Sequence, residues 1–251
     1  MDPFRLDGEI ALVTGAGTGI GLGIARAMSA AGARIILTGR RREPLETAAH
    51  ELGNNSLAIP HDLLDFEAAP ALRDHIVRQC GAPSILVNNA GIHLKKDALE
   101  VTEEEFLQVL NTHVTAAAAL SRAFAAPMIQ AGRGSILFIS SMTALIGMPK
   151  VVAYSAAKAA VRGLVLALTA DLAPRGLRVN AIAPGWIDTP MLHRALEGDP
   201  ERRQRILSRT PLGRFGDPSD VGRAAVYLSS PAAKFVTGVC LPIDGGGSIG
   251  F

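Results

Sequence analysis

The feature that most restricts the fold is the regular alternation of short, continuous apolar runs with Ala- and Leu-rich stretches of helical pattern. The runs fall at residues 10–14, 34–38, 56–60, 85–88, 135–140, 177–182 and 239–243. They are unbroken rather than alternating, so each strand must be covered on both faces, as in a parallel sheet. Helices are predicted over residues 20–31, from near Pro44, over 66–80, 103–126, 153–172 and 219–228. Right-handed crossovers between such strands give an α/β, doubly wound, Rossmann-type sheet of about seven strands with helices on both faces. Thr102 and Glu105 have the spacing of a capping box, and Pro242 suits an edge strand. Nothing long enough to act as a linker divides the chain, so residues 1–251 read as a single domain, with 190–210 a polar, helical insertion expected to form a lid.

Hydrophobic residues make up 48% of the chain and charged residues 19%, which supports a large core and argues against disorder. A formal net charge of +2 is too small to argue for nucleic acid or a membrane surface. Cys80 and Cys240 fit no metal-ligand spacing and read as small hydrophobes, so no metal is expected. The first residues lack the apolar stretch of a secretory signal, and no run of about 18 apolar residues is evident. The expectation is a soluble, cytoplasmic protein. Small residues crowd two helices, at 116–119, 123, 125 and 126 and at 153, 156, 157, 159 and 160. Helices apolar on nearly every face seek burial beyond their own sheet. A homo-oligomer, with a tetramer the expected size, would pack through 103–126 and 153–172.

Directly after the first strand comes a glycine loop, Gly15, Gly17, Thr18, Gly19, Ile20 and Gly21, running straight into a helix. A literal Gly-x-Gly-x-x-Gly search fails, because Leu22 stands where the last glycine belongs. The physical logic holds nonetheless: glycines allow a tight turn, and the helix N-terminus attracts a pyrophosphate. At the end of the second strand an NAD site places an acid for the ribose 2′-hydroxyl. Here Gly39 is followed by Arg40, Arg41 and Arg42. A guanidinium can bind a 2′-phosphate bidentately, so NADP(H) is expected over NAD(H), with Arg40 as the main contact and at least one of the three arginines in solvent.

Tyr154 and Lys158 are four apart on one helix face, with Ser141 thirteen residues upstream. A neighbouring ammonium favours phenolate and lowers a tyrosine pKa, making Tyr154 a usable acid and base. Ser141 is favoured over Ser140 as the hydroxyl partner by that offset. In order, the glycine loop, Asn88-Asn-Ala-Gly91, Asn111, Ser141, Tyr154/Lys158 and Pro184-Gly-Trp-Ile-Asp-Thr189 closely resemble the short-chain dehydrogenase/reductase family across essentially the whole chain. That resemblance implies hydride transfer on nicotinamide, with Tyr154 as general acid/base, Ser141 orienting the substrate oxygen, Lys158 holding the ribose and Asn111 supporting a water-linked relay. It also implies that Asp62 and Leu63 contact adenine, that Asn88, Ala90 and Gly91 line the cofactor cleft, and that Pro184, Gly185, Ile187 and Thr189 meet the nicotinamide. His113 reads as a packing variation.

Substrate contacts are expected from His93, Ser141, Met142, Trp186 and His193, with Lys95, Lys96 and Arg194 as further polar candidates. The stretches 91–105 and 209–218 resemble the gluconate 5-dehydrogenase and ketodeoxygluconate dehydrogenase branch, which implies a sugar acid or its keto form. The alternatives are a 3-oxoacyl-[acyl-carrier-protein] reductase, against which Thr18 counts because those enzymes carry a basic residue there, or a broad carbonyl reductase. A dinucleotide-binding sensor or scaffold is the reading outside catalysis.

Overall fold

The computed structural model describes residues 2–53 and 56–249, so the extreme ends of the expected 1–251 domain and residues 54–55 lie outside the described residues. The seven strands are β1 (Ile10–Thr14), β2 (Arg34–Gly39), β3 (Leu57–Pro60), β4 (Ile85–Asn88), β5 (Gly134–Ile139), β6 (Leu177–Pro184) and β7 (Cys240–Ile243). They form one sheet in the order β3-β2-β1-β4-β5-β6-β7, and every pairing is parallel. The winding direction reverses between β1 and β4, which opens a crevice at their carboxyl ends. β7 is an edge strand, and its Pro242 costs the sheet no inner hydrogen bond.

Strand side chains alternate between two cores. Leu12, Ile36, Leu86 and Ile136 point to one face, where they meet α3 (Ala69–Cys80), α5 (Ala116–Gln130) and α6 (Val152–Leu172). Ala11, Val13, Ile35, Leu37 and Val87 point to the other, against α1 (Gly19–Ala30), α2 (Arg42–Leu52) and α9 (Pro218–Ser229). Both faces are dry, which is why the strands show no polar alternation. The fold is the single-domain Rossmann-type sheet expected.

Three local features differ from the sequence reading. The expected helix 103–126 is three pieces: α4 (Glu103–Leu110), a π-helical turn (Asn111–Thr115) and α5. Its start is as read, with Thr102 and Glu105 making a reciprocal capping box. The polar insertion holds two short helices, α7 (Pro190–Leu196) and α8 (Pro200–Ser208), each with a proline in its first turn and a side-chain cap, from Thr189 and Asp199. And among the described residues one helix, Val152–Arg175, is long and apolar enough by composition to cross a bilayer, at a mean hydropathy of 1.3. Alanines raise that value without forming a conspicuous apolar run, and the same helix carries Tyr154 and the buried Lys158 against the sheet.

α1 and α9 cross at glycines. A Cβ on Gly222 would lie 2.7 Å from the Gly23 carbonyl oxygen and 2.8 Å from the Ala27 Cβ. Gly222→Ala should therefore force the helices apart, costing about 1–3 kcal/mol as overpacking does. A melting temperature lower by several degrees is the expected result, and an unchanged one would show the crossing to be loose.

Candidate active site

The crevice is a cleft of about 750 Å³ running along the carboxyl edge of the sheet. A hydroxyl–amide bracket pins its floor. The Thr14 Oγ1 accepts from the backbone N–H groups of Asn89 and Ala90, both at 2.9 Å, and donates to the Val87 carbonyl at 3.2 Å. The Asn89 Nδ2 in turn donates to the Thr14 carbonyl at 2.8 Å. Gly15 turns the chain at φ +65°, with the Ala90 Cα 2.9 Å from where its Cβ would stand. Only glycine meets both demands.

α1 then starts at the cleft wall. Its N-cap Thr18 is extended but makes no side-chain cap bond, and no acid occupies the first turn. The amides of Gly19, Ile20 and Gly21 thus face the cleft with no side chain satisfying them, and these residues line it. A helix end of this kind suits an anionic pyrophosphate. Arg40 and Arg41 line the same region, and Arg41 reaches across to donate to the Thr18 Oγ1 at 3.5 Å. Arg42 is the arginine turned to solvent, paired with Glu46 at 3.2 Å. Asp62, Leu63, Ala90, Gly91, Pro184, Gly185, Ile187 and Thr189 all line the cleft. The residues present therefore fit a dinucleotide, with Arg41 joining Arg40 at its 2′ end.

Two expected cofactor residues lie elsewhere. Gly17 does not line the cleft; its missing Cβ makes room for Pro44, 3.0 Å away, at the start of α2. Asn88 is buried beneath the cleft, where its Nδ2 donates to the Ser121 Oγ at 3.1 Å and ties β4 to α5. Its neighbour Asn89 takes the lining position.

At the other end stand Ser141, Tyr154 and Lys158. Ser141 leaves β5 in an extended conformation and hydrogen-bonds the Tyr154 phenol. Ser140 is bound to the scaffold, donating to the Lys158 carbonyl at 3.0 Å. The Lys158 Nζ is buried, donates to the Ile139 carbonyl at 2.7 Å, and lies 5.4 Å from the centre of the Tyr154 ring. The expected mutual tuning is not what dominates here. Burial pushes Tyr154 up to about 12, against the opposing pull of the Ser141 hydrogen bond, and burial pulls Lys158 down to about 7. An amine that burial pulls towards its neutral form, and that is aimed at a carbonyl oxygen, does not offset desolvation of the phenol.

Asn111 is at the start of the π-helical turn and does not line the cleft; its Oδ1 accepts from the Thr115 hydroxyl at 3.1 Å. The turn instead presents Thr112 and His113. His113 sits edge-on to Tyr154, with ring centres 5.4 Å apart, while His93 tilts over the same ring at 5.1 Å. The His113 Nε2 lies 2.7 Å from the Ile92 carbonyl oxygen and 3.2 Å from the Ile92 backbone nitrogen, so the ring is held against the backbone of the loop after β4. Gly91 has no side chain because the His113 imidazole occupies the space. His113 is thus packed, as read, yet it also contacts the reactive tyrosine.

Met142, Trp186 and His93 line the remaining wall, with Gln108, Met148, Met191, Arg194 and Arg202. His193 does not: it is exposed on the outer side of α7 and pairs with Asp188 at 2.6 Å. Lys95 and Lys96 are also outside the lining, and Lys96 is bound by Glu105 at 2.9 Å. Gln108 and His113 could have been found from their helical spacing around Asn111 once a π turn was allowed. Nothing in the sequence singles out Arg202 among the arginines of the insertion.

A doubly wound sheet whose switch-point cleft joins an open helix N-terminus to a Ser–Tyr–Lys group defines a nicotinamide-dependent oxidoreductase. Residues 15–248 match the family model described as enoyl-(acyl carrier protein) reductase. The chain is 45% identical to galactitol 2-dehydrogenase (L-tagatose-forming) of Cereibacter sphaeroides, over 97% of this chain and 96% of that one. It is 36% identical to a 3-oxoacyl-[acyl-carrier-protein] reductase of Vibrio harveyi, over 96% and 98%. Among solved structures it superimposes with a TM-score of 0.95 on a gluconate 5-dehydrogenase from Burkholderia cenocepacia in complex with NADP and tartrate, 35% identical and covering 100% of this chain and 99% of that one. The chain belongs to the short-chain dehydrogenase/reductase family.

Burial pulls His113 from an ordinary 6.5 down to about 3, so the folded protein holds it neutral where the unfolded chain binds a proton. The stability this brings is full above pH 6.5 and is lost as pH falls towards 3. Thermal melts at pH 7 and pH 4 should show a smaller drop for His113→Gln than for the wild type; equal drops would remove His113 from the acid response.

Proposed function

We propose that the protein interconverts a secondary alcohol and a ketone on a sugar acid, with NADP(H) as its preferred cofactor. The observation that carries the chemistry is the meeting of Ser141 and Tyr154 at one point of a cleft whose other end suits a pyrophosphate. The sugar-acid reading draws support from the gluconate 5-dehydrogenase likeness and from a polar substrate end containing His93, Gln108, Thr143 and Arg194. An acyl-thioester substrate fits less well, since Thr18 leaves the glycine loop without a cation.

The cofactor supplies or accepts the hydride at the substrate carbon. In the reducing direction Ser141 and Tyr154 flank the carbonyl oxygen and polarise it with two hydrogen bonds. As the carbon receives the hydride, the carbonyl π electrons move onto that oxygen, which takes the Tyr154 proton and becomes the hydroxyl of the product alcohol, its single bond to carbon kept. Charge on the alkoxide is thus neutralised as it develops. With a phenol pushed up to about 12, Tyr154 carries its proton at neutral pH and is set for reduction. Oxidation needs the phenolate, which a protonated Lys158 favours. Lys158 is also placed to hold a ribose hydroxyl, and Arg40 and Arg41 to bind a 2′-phosphate. Asn111 contributes through the π turn, whose shape brings Thr112 and His113 to the cleft. A nicotinamide-linked reaction suits a cytoplasmic protein.

α4, the π turn, α5 and α6 form the surface through which we expect self-association. Leu107, Val152 and Leu166 are exposed along it. A tetramer is the size that fits two such helices per subunit.

Tyr154→Phe keeps the ring packing and removes the proton. It should bind NADPH as the wild type does and lose about 10²–10⁴-fold in turnover, within the range for general acid–base catalysis. Retained turnover would refute the assignment. For the cofactor, Arg40→Ala and Arg41→Ala should each weaken NADPH binding without weakening NADH binding. Equal efficiency with both cofactors in the wild type, unmoved by either change, would refute the NADP preference.

A further inference from the structure

We infer that His113 is a positioning residue for the reaction: its ring bridges the Gly91–Ile92 backbone and Tyr154, and so fixes the phenol relative to the cleft wall. The inference rests on Tyr154 being the proton donor proposed above and names what sets its place. Three elements meet at this imidazole. The π turn (Asn111–Thr115) supplies it, the loop after β4 anchors it, and α6 brings Tyr154 against it. Its Nε2 lies 2.7 Å from the Ile92 carbonyl oxygen and 3.2 Å from the Ile92 backbone nitrogen. Its Nδ1 lies 2.8 Å from where a Gly91 Cβ would stand, although Gly91 does not adopt a left-handed φ. A side chain at Gly91 is therefore excluded by the imidazole and not by the backbone. On its other side the ring meets Tyr154 with the planes at 88° and the centres 5.4 Å apart, a favoured edge-to-face geometry.

His93 also lies over the Tyr154 ring, at 5.1 Å, but the two histidines differ in freedom. His93 is exposed, whereas His113 is 4% exposed and held at the Ile92 backbone. His113 is thus the fixed stop. The helix behind the phenol is fixed too, since Ala153 and Ala157 of α6 pack with Val109 of α4 in one buried cluster. Positioning of this kind acts on the chemical step, where a misplacement of about 1 Å can cost ~10²-fold in rate. Dinucleotide affinity is set at the far end of the cleft, by the α1 amides and the arginines after β2. His113 also keeps water from the phenol. The groups that face Tyr154 are Lys158 of its own helix, Ser141 at the end of β5, His93 and His113. Burial holds His113 down to about 3, so a neutral replacement removes cover at neutral and alkaline pH and leaves the charge as it was. Water admitted there relieves the burial that pushes Tyr154 up and Lys158 down, and the ammonium regained favours phenolate as well.

Two variants of the 251-residue chain separate the ring from its anchor. His113→Gln keeps a donor and an acceptor for the Ile92 backbone but has no ring, and His113→Phe keeps a ring without the anchor. Turnover is measured with NADPH and 5-keto-gluconate, and cofactor binding by NADPH fluorescence. His113→Gln should lose about 10–100-fold in kcat with NADPH affinity unchanged, and His113→Phe should recover part of that loss. Phenol ionisation is read from phenolate absorbance in a Tyr227→Phe background, which leaves Tyr154 as the one tyrosine of the chain. Between about pH 8 and 11, His113→Gln should show more phenolate than this parent, and His113→Phe less than His113→Gln. A kcat retained in His113→Gln, with only the melting temperature lowered, would reduce His113 to a structural filler and overturn the inference. So would a loss of turnover matched by loss of NADPH binding, an unshifted phenol titration, or a His113→Phe variant no better than His113→Gln. If the wild type fails to turn over 5-keto-gluconate, the sugar-acid reading falls, and the titration alone decides the role of His113.

Discussion

The seam between β1 and β4 is the constraint on which the cleft depends. These strands are neighbours in the sheet although two others separate them in the chain, and their connections leave in opposite directions. The gap this creates would collapse or fill with side chains if the two strand ends were free to move. Thr14 prevents that by accepting two amides from the opposite strand end while Asn89 returns a donor to Thr14. Gly15 then passes so close to Ala90 that no side chain can enter. Backbone amides, helix N-terminus and glycine surface are all presented from this one fixed edge.

The reactive groups depend on a second condition, burial. Lys158 is enclosed and is paired with a backbone carbonyl rather than a carboxylate. An amine so placed yields its charge easily, and a phenol beside it resists ionising. The two shifts have opposite signs but one cause, so anything that admits an anion to the cleft acts on both. Negative charge near Lys158 favours the ammonium, and the ammonium favours phenolate. The tuning expected of the tyrosine–lysine pair is thus conditional on what else occupies the cleft.

How far the sequence could be read follows from which interactions are local. Continuous apolar strands specify a two-sided sheet wherever they occur, and the seven runs gave the correct elements within one to a few residues. Pro242 identified an edge from its missing N–H alone. Motif residues at strand ends were also legible, since a strand carboxyl end in this topology faces the crevice. Gly17 and Asn88 show the limit. Both belong to recognisable motifs, yet Gly17 makes room for Pro44 and Asn88 holds Ser121, because a motif fixes a backbone shape and not which member lines the cleft. The π turn was invisible for a related reason. An extra residue in one helical turn leaves the apolar pattern almost unchanged, but it rotates every later side chain, exchanging Asn111 for Thr112 and His113 at the cleft wall.

The insertion behaves differently from both. Its apolar content is low, and neither short helix has a core of its own, so capping at Thr189 and Asp199 and a few buried side chains such as Leu192 and Ile206 hold it in place. Residues freed from core packing can change without harm to the sheet. In a cleft whose floor is fixed by the β1–β4 seam and whose proton donor is fixed by α6, this is the part of the chain where substrate preference can vary. Arg194 of α7 and Arg202 of α8 line the cleft from this insertion and not from the core, so the apolar pattern that located the sheet could not single them out.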